Sequence, residues 1–367
     1  FGEIVQWIVP VGIQSDRDGL PSQAIVAAVL KAVDEFDPDL VHIWGAESYW
    51  GLLTARNLIK APSLLEIQGL KEPYSRVYSG GLTKSEQRAC IGFKEFIKRR
   101  SISSQAKAFI SWSQFEREII AGHRFITTQS SWVEAWVRVS NNGRVFHTEL
   151  PLRDPFYHAQ PWQPPATPRI FCTAAYPAPY KGLHDAVRAL AIVKTRVPSV
   201  RLRIAGTHQL RGIRQNGYTA WIDRLAKSLG VSDLIDWLGP LTAEQIVQEL
   251  LQCSAMLMPS HCETYCVALA EALYLGVPTV TAYTGGSAWL ARDEESALFY
   301  SPGDEVMCAW QIERLLTDSE LSKKLSGSAR LVAHKRNNIE KIVIGQLKIY
   351  REVIADSLVV SQPDHKK

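Results

Sequence analysis

Apolar and polar positions follow two alternating rhythms along this chain. Short apolar runs read as buried strands, and longer stretches with apolar residues every three to four positions read as amphipathic helices. In the first half, Ile4–Pro10, Leu40–Trp44, Ser63–Gln68, Ala108–Ser111 and Arg124–Thr128 have the strand pattern, with helices expected over Ser22–Phe36 and Lys84–Arg99. In the second half the rhythm is cleaner: strands at Arg169–Ala174, Val200–Ala205, Ile235–Leu238, Ala255–Pro259 and Thr279–Ala282. Helices are expected between them at Gly182–Arg196, Ala220–Leu229, Ala243–Cys253 and Thr264–Gly276, followed by a helical tail. Strands separated by helices predict parallel sheets covered on both faces, an α/β protein.

Four prolines fall within Gln160–Pro168, a density that blocks helix and ladder hydrogen bonds alike and suits an extended linker. Residues 1–160 and 161–338 are therefore expected to form two domains. The remainder, 339–367, is expected to be a helix packing across the domains and then a polar tail, from the apolar positions Ile342, Ile344, Leu347, Ile349 and Ile354. A chain of 367 residues suits two cores better than one.

Composition narrows the class. Hydrophobic residues make up 46% and charged residues 21%, as in soluble globular proteins. The net charge of +4 is compatible with an anionic substrate but too small to point to nucleic acid. Six scattered cysteines form no disulfide framework, so a reducing, cytoplasmic compartment is expected. The most apolar stretch, Tyr265–Tyr283, carries Glu271, Gly276 and Pro278 and reads as a soluble helix followed by a strand. Phe1 is not an initiator Met and no signal segment follows it, so the chain is expected to begin partway into a longer one.

Candidate chemistry concentrates in Pro259–Val280. A strand ends at Pro259, a short loop carries Glu263, and a helix is expected to open near Thr264 with Glu271 inside it. Unpaired amides at such a helix start, together with the helix dipole, favour an anion such as a diphosphate. On one continuous helical rise the two carboxylates would stand roughly 12 Å apart, a spacing that brackets a nucleotide sugar. It exceeds the roughly 5 to 10 Å between the paired acids of a glycoside hydrolase.

The stretch resembles the E-x7-E signature of glycosyltransferase family 4. The similarity runs from about residue 170 to 355 and includes Pro179–Gly182, Ile204–Gly206, Trp237–Gly239 and Thr284–Ser287. It implies a GT-B fold, two Rossmann-like parallel-sheet domains facing across a cleft, and a retaining transfer from a nucleoside diphosphate sugar, a UDP- or GDP-sugar. By the resemblance Lys181 holds the donor phosphates, Glu263 contacts the donor sugar, and Glu271 accepts from the ribose. Thr264, Tyr265 and Cys266 complete the donor loop, Gly206 and Gly239 let the backbone approach the nucleotide, and Gly285, Gly286 and Ser287 line the phosphate side. His42, in Pro38–Gly45, stands where the family carries His-x-His, with Trp44 in place of the second histidine, and is a third catalytic candidate beside Lys181 and Glu263. Glu47 beyond it is a candidate sugar contact. The acceptor implied is a glycan or lipid-linked glycan, with polysaccharide biosynthesis at the cytoplasmic face of the inner membrane as the setting.

Two departures stand out. The family's arginine before the lysine is missing from Thr173–Tyr176, so charge balance at the diphosphate is partly unassigned, with Arg211 or Arg214 as substitutes. The family's opening strand and glycine-rich turn are missing from this sequence.

Other signals carry less. Asp16–Asp18 and Asp37–Asp39 match the Asp-x-Asp pattern of metal-dependent transferases but sit in turn-like sequence, and no essential metal is expected. His261, Cys262 and Cys266 lack a second ligand pair at zinc spacing. P-loop, G-x-G-x-x-G, H-E-x-x-H and G-x-S-x-G motifs do not occur. Lys94–Arg100 reads as a solvated helix end, with contact to an anionic membrane or lipid phosphate as the alternative. A retaining glycosyltransferase is the expectation. A GT-B epimerase or phosphorylase and a non-catalytic nucleotide- or sugar-binding subunit are its rivals.

Overall fold

The structure, a computed structural model, describes residues 4–8, 17–174, 177–206 and 215–360. The chain divides into two compact units, one of residues 1–72, 110–148 and 340–367, the other of residues 73–109 and 149–339.

The first unit holds a four-stranded parallel sheet in chain order: β1 (Val41–Trp44), β2 (Ser63–Glu66), β3 (Phe125–Thr128) and β4 (Arg144–His147). Successive side chains on a strand point to opposite faces, and both faces are covered. Leu65 and Ile126 join a layer with Val29, Leu52, Ile119 and Val133. Their neighbours Leu64 and Phe125 pack with Ile349 and Val353 of the terminal helix Ile339–Val360. That helix, expected to span two domains, packs on the first unit's sheet, where Arg144 also pairs with Glu352 and Asp356.

The second unit is built on six parallel strands: β5 (Arg169–Ala174), β6 (Arg201–Gly206), β7 (Ile235–Gly239), β8 (Ala255–Met258), β9 (Thr279–Ala282) and β10 (Leu298–Tyr300). Their spatial order is β10-β9-β8-β5-β6-β7, the doubly wound arrangement in which the chain reverses direction between the first and fourth strands. Alternation again splits the core. Ile170, Cys172, Leu202, Ile204 and Leu257 face one layer, whereas Phe171, Ala205, Met256 and Met258 face the other.

The boundaries differ from those the prolines suggested. Tyr78, Leu82, Cys90 and Ile102 belong to the same layer as Ile170 and Leu202, which draws residues 73–109 into the second unit. Leu152, Phe156 and Trp162 belong to the opposite layer, and Trp162 donates from Nε1 to the Cys253 carbonyl at 2.7 Å. The proline-rich stretch is thus bolted to the second sheet, and the division falls at residue 149 and not at 161.

Three local expectations also change. Ala108–Ser111 lies inside the helix Ile102–Gly122, because Ile102, Ala106, Phe109, Trp112, Phe115 and Ile119 recur at helical spacing. The single helix expected over Lys84–Arg99 is two, Lys84–Ala89 and Phe93–Ile97, broken at Gly92. Ile4–Ile8 form no strand, and the rest of that run lies outside the described residues.

Candidate functional site

In a doubly wound sheet, ligands bind beyond the carboxyl ends of the strands where the order reverses. Here that place lies between β5 and β8. The chain beyond β5 reaches Pro179–Gly182, and β8 runs into the irregular loop Pro259–Cys266.

The two loops are stitched together. Gly182 has φ +68°, and a Cβ on it would lie 1.8 Å from the Pro259 carbonyl oxygen, so only glycine permits the approach. The His261 amide donates to the Tyr180 carbonyl at 2.7 Å. Lys181 Nζ donates to Glu263 Oε1 at 2.7 Å, and His261 Nε2 lies 2.7 Å from Asp185 Oδ2. A third loop, at the end of β9, closes on the same strand of backbone. The Gly286 amide donates to the Glu263 carbonyl at 2.9 Å, and a Cβ on Gly285, at φ +44°, would meet that oxygen at 1.9 Å.

Burial disfavours charge on Lys181, yet the adjoining Glu263 carboxylate outweighs it through charge and hydrogen bond, so the ammonium is held above the ordinary lysine value. An ammonium has three donors, and Glu263 uses one. The helix after the loop begins at Val267, four residues beyond Glu263, with Cys266 at φ +77° as its left-handed N-cap. Glu263 and Glu271 therefore do not share one helix, and the rise-based separation does not apply. Leu269 and Ala270 donate to the Cys266 carbonyl, while Val267 and Ala268 occupy the first-turn positions whose amides lack an intrahelical partner.

Glu271 is committed elsewhere. Its buried carboxylate is clamped by Arg153, with Nε–Oε1 at 2.6 Å and Nη2–Oε2 at 2.7 Å. Burial raises the Glu271 carboxyl above its usual value and Arg153 opposes the rise. The pattern Pro151–Pro155 gave no cue to this partner, because the pairing is made 118 positions away.

Other expected donor contacts have their side chains engaged in the fold. The Tyr265 hydroxyl donates to Glu149 at 3.0 Å and accepts from Asn337 at 3.2 Å, and Cys266 sits in the core, leaving only backbone of these two at the loop. The Ser287 hydroxyl donates to the Thr284 carbonyl at 2.6 Å and accepts from the Thr284 amide at 3.0 Å, a staple within its own loop. Thr264 meets the Tyr74 hydroxyl, and Tyr74 packs edge-on against Tyr180 with ring centroids 5.0 Å apart. Gly206 and Gly239 end the neighbouring strands β6 and β7. Arg211, Arg214 and part of Thr173–Tyr176 lie outside the described residues.

His42 belongs to the first unit, on β1. Its Nδ1 is 2.8 Å from the Tyr350 hydroxyl, and its Nε2 lies 3.2 Å from Glu66 without hydrogen-bond alignment. Glu47 is held between two glycines, since a Cβ on Gly45 or Gly69 would meet its carboxyl oxygens at 2.1 and 2.3 Å. Burial raises its pKa, against the pull of Lys71. Asp37 is the left-handed C-cap of the helix Gln23–Phe36, and Asp16 lies outside the described residues.

Near these loops, ligand-type atoms of His184, Asp185 and His261 lie within 4.8 Å of one another. Both nitrogens of His184 are taken, Nδ1 by the Tyr218 hydroxyl at 2.8 Å and Nε2 by the Gly80 carbonyl at 2.7 Å. Burial holds it below the ordinary histidine value, with Asp185 opposing. A neutral histidine fixed in this way anchors the packing and offers no free lone pair to a cation.

Two Rossmann-like parallel sheets, the second with its polar loops gathered at the switch point, define the GT-B class of glycosyltransferase folds. Residues 158–332, just under half of the chain, match the model of the family glycosyl transferases group 1. The chain is 29% identical over 184 residues to D-inositol 3-phosphate glycosyltransferase of Acidothermus cellulolyticus, covering 48% of this chain and 40% of that protein. It is 27% identical over 176 residues to N-acetyl-alpha-D-glucosaminyl L-malate synthase of Bacillus anthracis, covering 48% of this chain and 43% of that one. The chain thus spans about two-fifths of the length of the curated relatives it matches. Among solved structures it shares the fold of sucrose-phosphate synthase from Thermosynechococcus elongatus, with TM-score 0.70, 18% identity and coverage of 91% of this chain and 79% of that one. It also shares the fold of Anabaena HepE in complex with UDP and glucose, with TM-score 0.62, 16% identity and coverage of 92% and 82%.

Proposed function

We propose that this chain is a retaining, metal-independent glycosyltransferase that moves a sugar from a UDP- or GDP-sugar to a glycan or lipid-linked acceptor. The observation that carries the reading is the Lys181–Glu263 pair, set by three interlocked loops at the switch point of the second sheet. The family supports glycosyl transfer, and a relative in fold holds UDP and glucose.

The chemistry divides among the residues as follows. Departure of a nucleoside diphosphate concentrates negative charge on its phosphates, and preorganised donors aimed there lower the barrier. The two remaining donors of Lys181 and the first-turn amides of Val267 and Ala268 serve that role. The Glu263 carboxylate has lone pairs beyond the one taken by Lys181 and accepts from sugar hydroxyls, so the same contact orients both sugar and lysine. Each Glu271 oxygen likewise keeps a lone pair beside its bond to Arg153, and a ribose would share that carboxylate with the guanidinium. His42, on β1 of the first unit, is the third catalytic candidate in this reading. The setting is the cytoplasmic face of a membrane, with the protein peripheral to it.

The clamp on Glu271 favours a second reading, a subunit that binds nucleotide or sugar without turning it over. A thermal-shift panel of UDP, GDP, ADP and their common sugars, with and without EDTA, comes first. A ligand at a hundred times its dissociation constant adds about 2.7 kcal/mol. A chelator-insensitive shift with one base, followed by transfer to an acceptor with retained anomeric configuration, is expected. Product formed from donor alone would point to an epimerase, and a shift without turnover to the binding subunit. No shift with any nucleotide defeats both.

A further inference from the structure

One helical turn of the second unit is inside out. The helix Phe93–Ile97 buries its acidic residue and exposes its apolar ones: Glu95 is 8% accessible, whereas Phe93 is 62%, Phe96 75% and Ile97 61%. An ordinary surface helix does the reverse. The turn is not a frayed end that chance left apolar, because it is fixed at its base. A Cβ on Gly217 would lie 2.0 Å from the Cys90 carbonyl, and Arg224 Nη2 donates to the Ala89 carbonyl at 2.6 Å. The structure therefore leaves two phenylalanines and an isoleucine exposed to solvent on an anchored segment.

The charges around them have one sign. Lys94, Lys98, Arg99 and Arg100 are all exposed, and among the described residues none of the four enters an ion pair. The one acid in the segment, Glu95, is turned inward. Aromatic side chains projecting from a cationic rim match the boundary of an anionic lipid layer, where rings enter the headgroup–acyl zone and lysine and arginine meet phosphate. An apolar patch without that rim would suit a second copy of the chain equally well; four uncompensated cations oppose self-association and select a negative partner.

We propose that residues 91–100 form a docking surface for an anionic membrane. The inference gives the peripheral setting of the proposed function a physical site and does not depend on the donor assignment.

The full chain is mixed with phosphatidylcholine vesicles with and without about a third phosphatidylglycerol, and bound protein is read by co-sedimentation. Binding to the anionic vesicles alone, weakened as salt is raised, is expected. Lys94→Glu/Lys98→Glu/Arg100→Glu should lower the partition coefficient by on the order of 100-fold or more, and Phe93→Ser/Phe96→Ser by about tenfold or more. The nucleotide thermal shift of each variant should match that of the unaltered chain, which separates a failed docking surface from a failed donor site. Hydrogen exchange of the unaltered chain on vesicles should show protection at residues 91–100 and needs no variant. Absence of binding to anionic vesicles, binding that both variants retain, or protection confined to another segment overturns the proposal. So does a concentration-dependent mass in sedimentation velocity that the phenylalanine variant abolishes without any vesicle binding, which would make the patch a contact between copies.

Discussion

Removing Arg153 should expose how Glu271 is kept charged. The Glu271 side chain is 2% accessible and that of Arg153 43%, so the pair is buried on one side and half-open on the other. Deleting one partner of a fully buried pair costs about 3–5 kcal/mol. The open guanidinium is screened by solvent, and Arg153→Ala should cost about 2 kcal/mol. The pH dependence carries a second signature. Burial raises the Glu271 carboxyl above its ordinary value, and Arg153 limits the rise. With a raised folded value, the native state binds more protons than the unfolded one across the interval between the two. The stability this group contributes is then full below the ordinary glutamate range and lost as pH rises through the folded value. Without Arg153 the folded value climbs further, so the loss continues to higher pH. Urea unfolding read by hydrogen exchange of second-unit peptides keeps the two units' transitions apart. Comparing the native chain, Arg153→Ala, Glu271→Gln and the double variant closes a cycle, with a coupling of about 1–2 kcal/mol expected. An Arg153→Ala chain within about 0.5 kcal/mol of native at every pH would refute the clamp as drawn.

Three further outcomes follow from the same geometry. Lys181→Ala and Glu263→Ala should each lower turnover by about 100- to 1,000-fold while the variant stays folded at the assay temperature despite the loss of a largely buried ion pair, and near-normal turnover in both would sink the proposed roles. Gly182→Ala forces a left-handed alanine, costing about 1–2 kcal/mol, and places a Cβ 1.8 Å from the Pro259 oxygen; a melt and a turnover both unchanged would mean that the loops are not interlocked as described. Glu116, pushed up to about 7 mainly by burial, supplies stability that is full below pH 4.5 and lost as pH rises through 7, so Glu116→Gln should flatten that part of the first unit's stability curve, and an unchanged slope would contradict it.

The strands that were legible are mostly apolar in both directions of the pleat, whereas β4 and β10, each at a sheet edge, were not expected. Phe171 and Cys172, or Leu257 and Met258, feed opposite core layers, so a continuous apolar run is what a strand buried on two faces must look like. The same logic misled at Ala108–Ser111, where three consecutive apolar residues belong to a long helix that half-buries Phe109 and leaves Ala108 and Ile110 exposed. Residues 73–109 precede the proline-rich stretch yet pack on the second sheet. Nothing local in Tyr78 or Ile102 says which of two cores will receive it.

The candidate site divides along a similar line. Lys181 and Glu263 sit beside residues with a short-range reason to be there: a glycine that lets one loop touch the next, and a strand end that releases the chain at the switch point. Such constraints leave marks in the sequence. Arg153, Asp185 and Tyr74 act through contacts made across the fold, and their own neighbourhoods carry no trace of the partner. The distinction bears on function. Glycine-enforced backbone contacts fix where Lys181 and Glu263 stand whatever occupies the site, whereas the state of Glu271 depends on a single side chain that another ligand of the carboxylate could share or displace. If the donor ribose reaches Glu271, it must do so with Arg153 either retained as a second cation near the nucleotide or turned out into solvent. The first would fill the positive charge missing from Thr173–Tyr176; the second would make Arg153→Ala bind nucleotide more tightly than the native chain, so one titration of that variant distinguishes them.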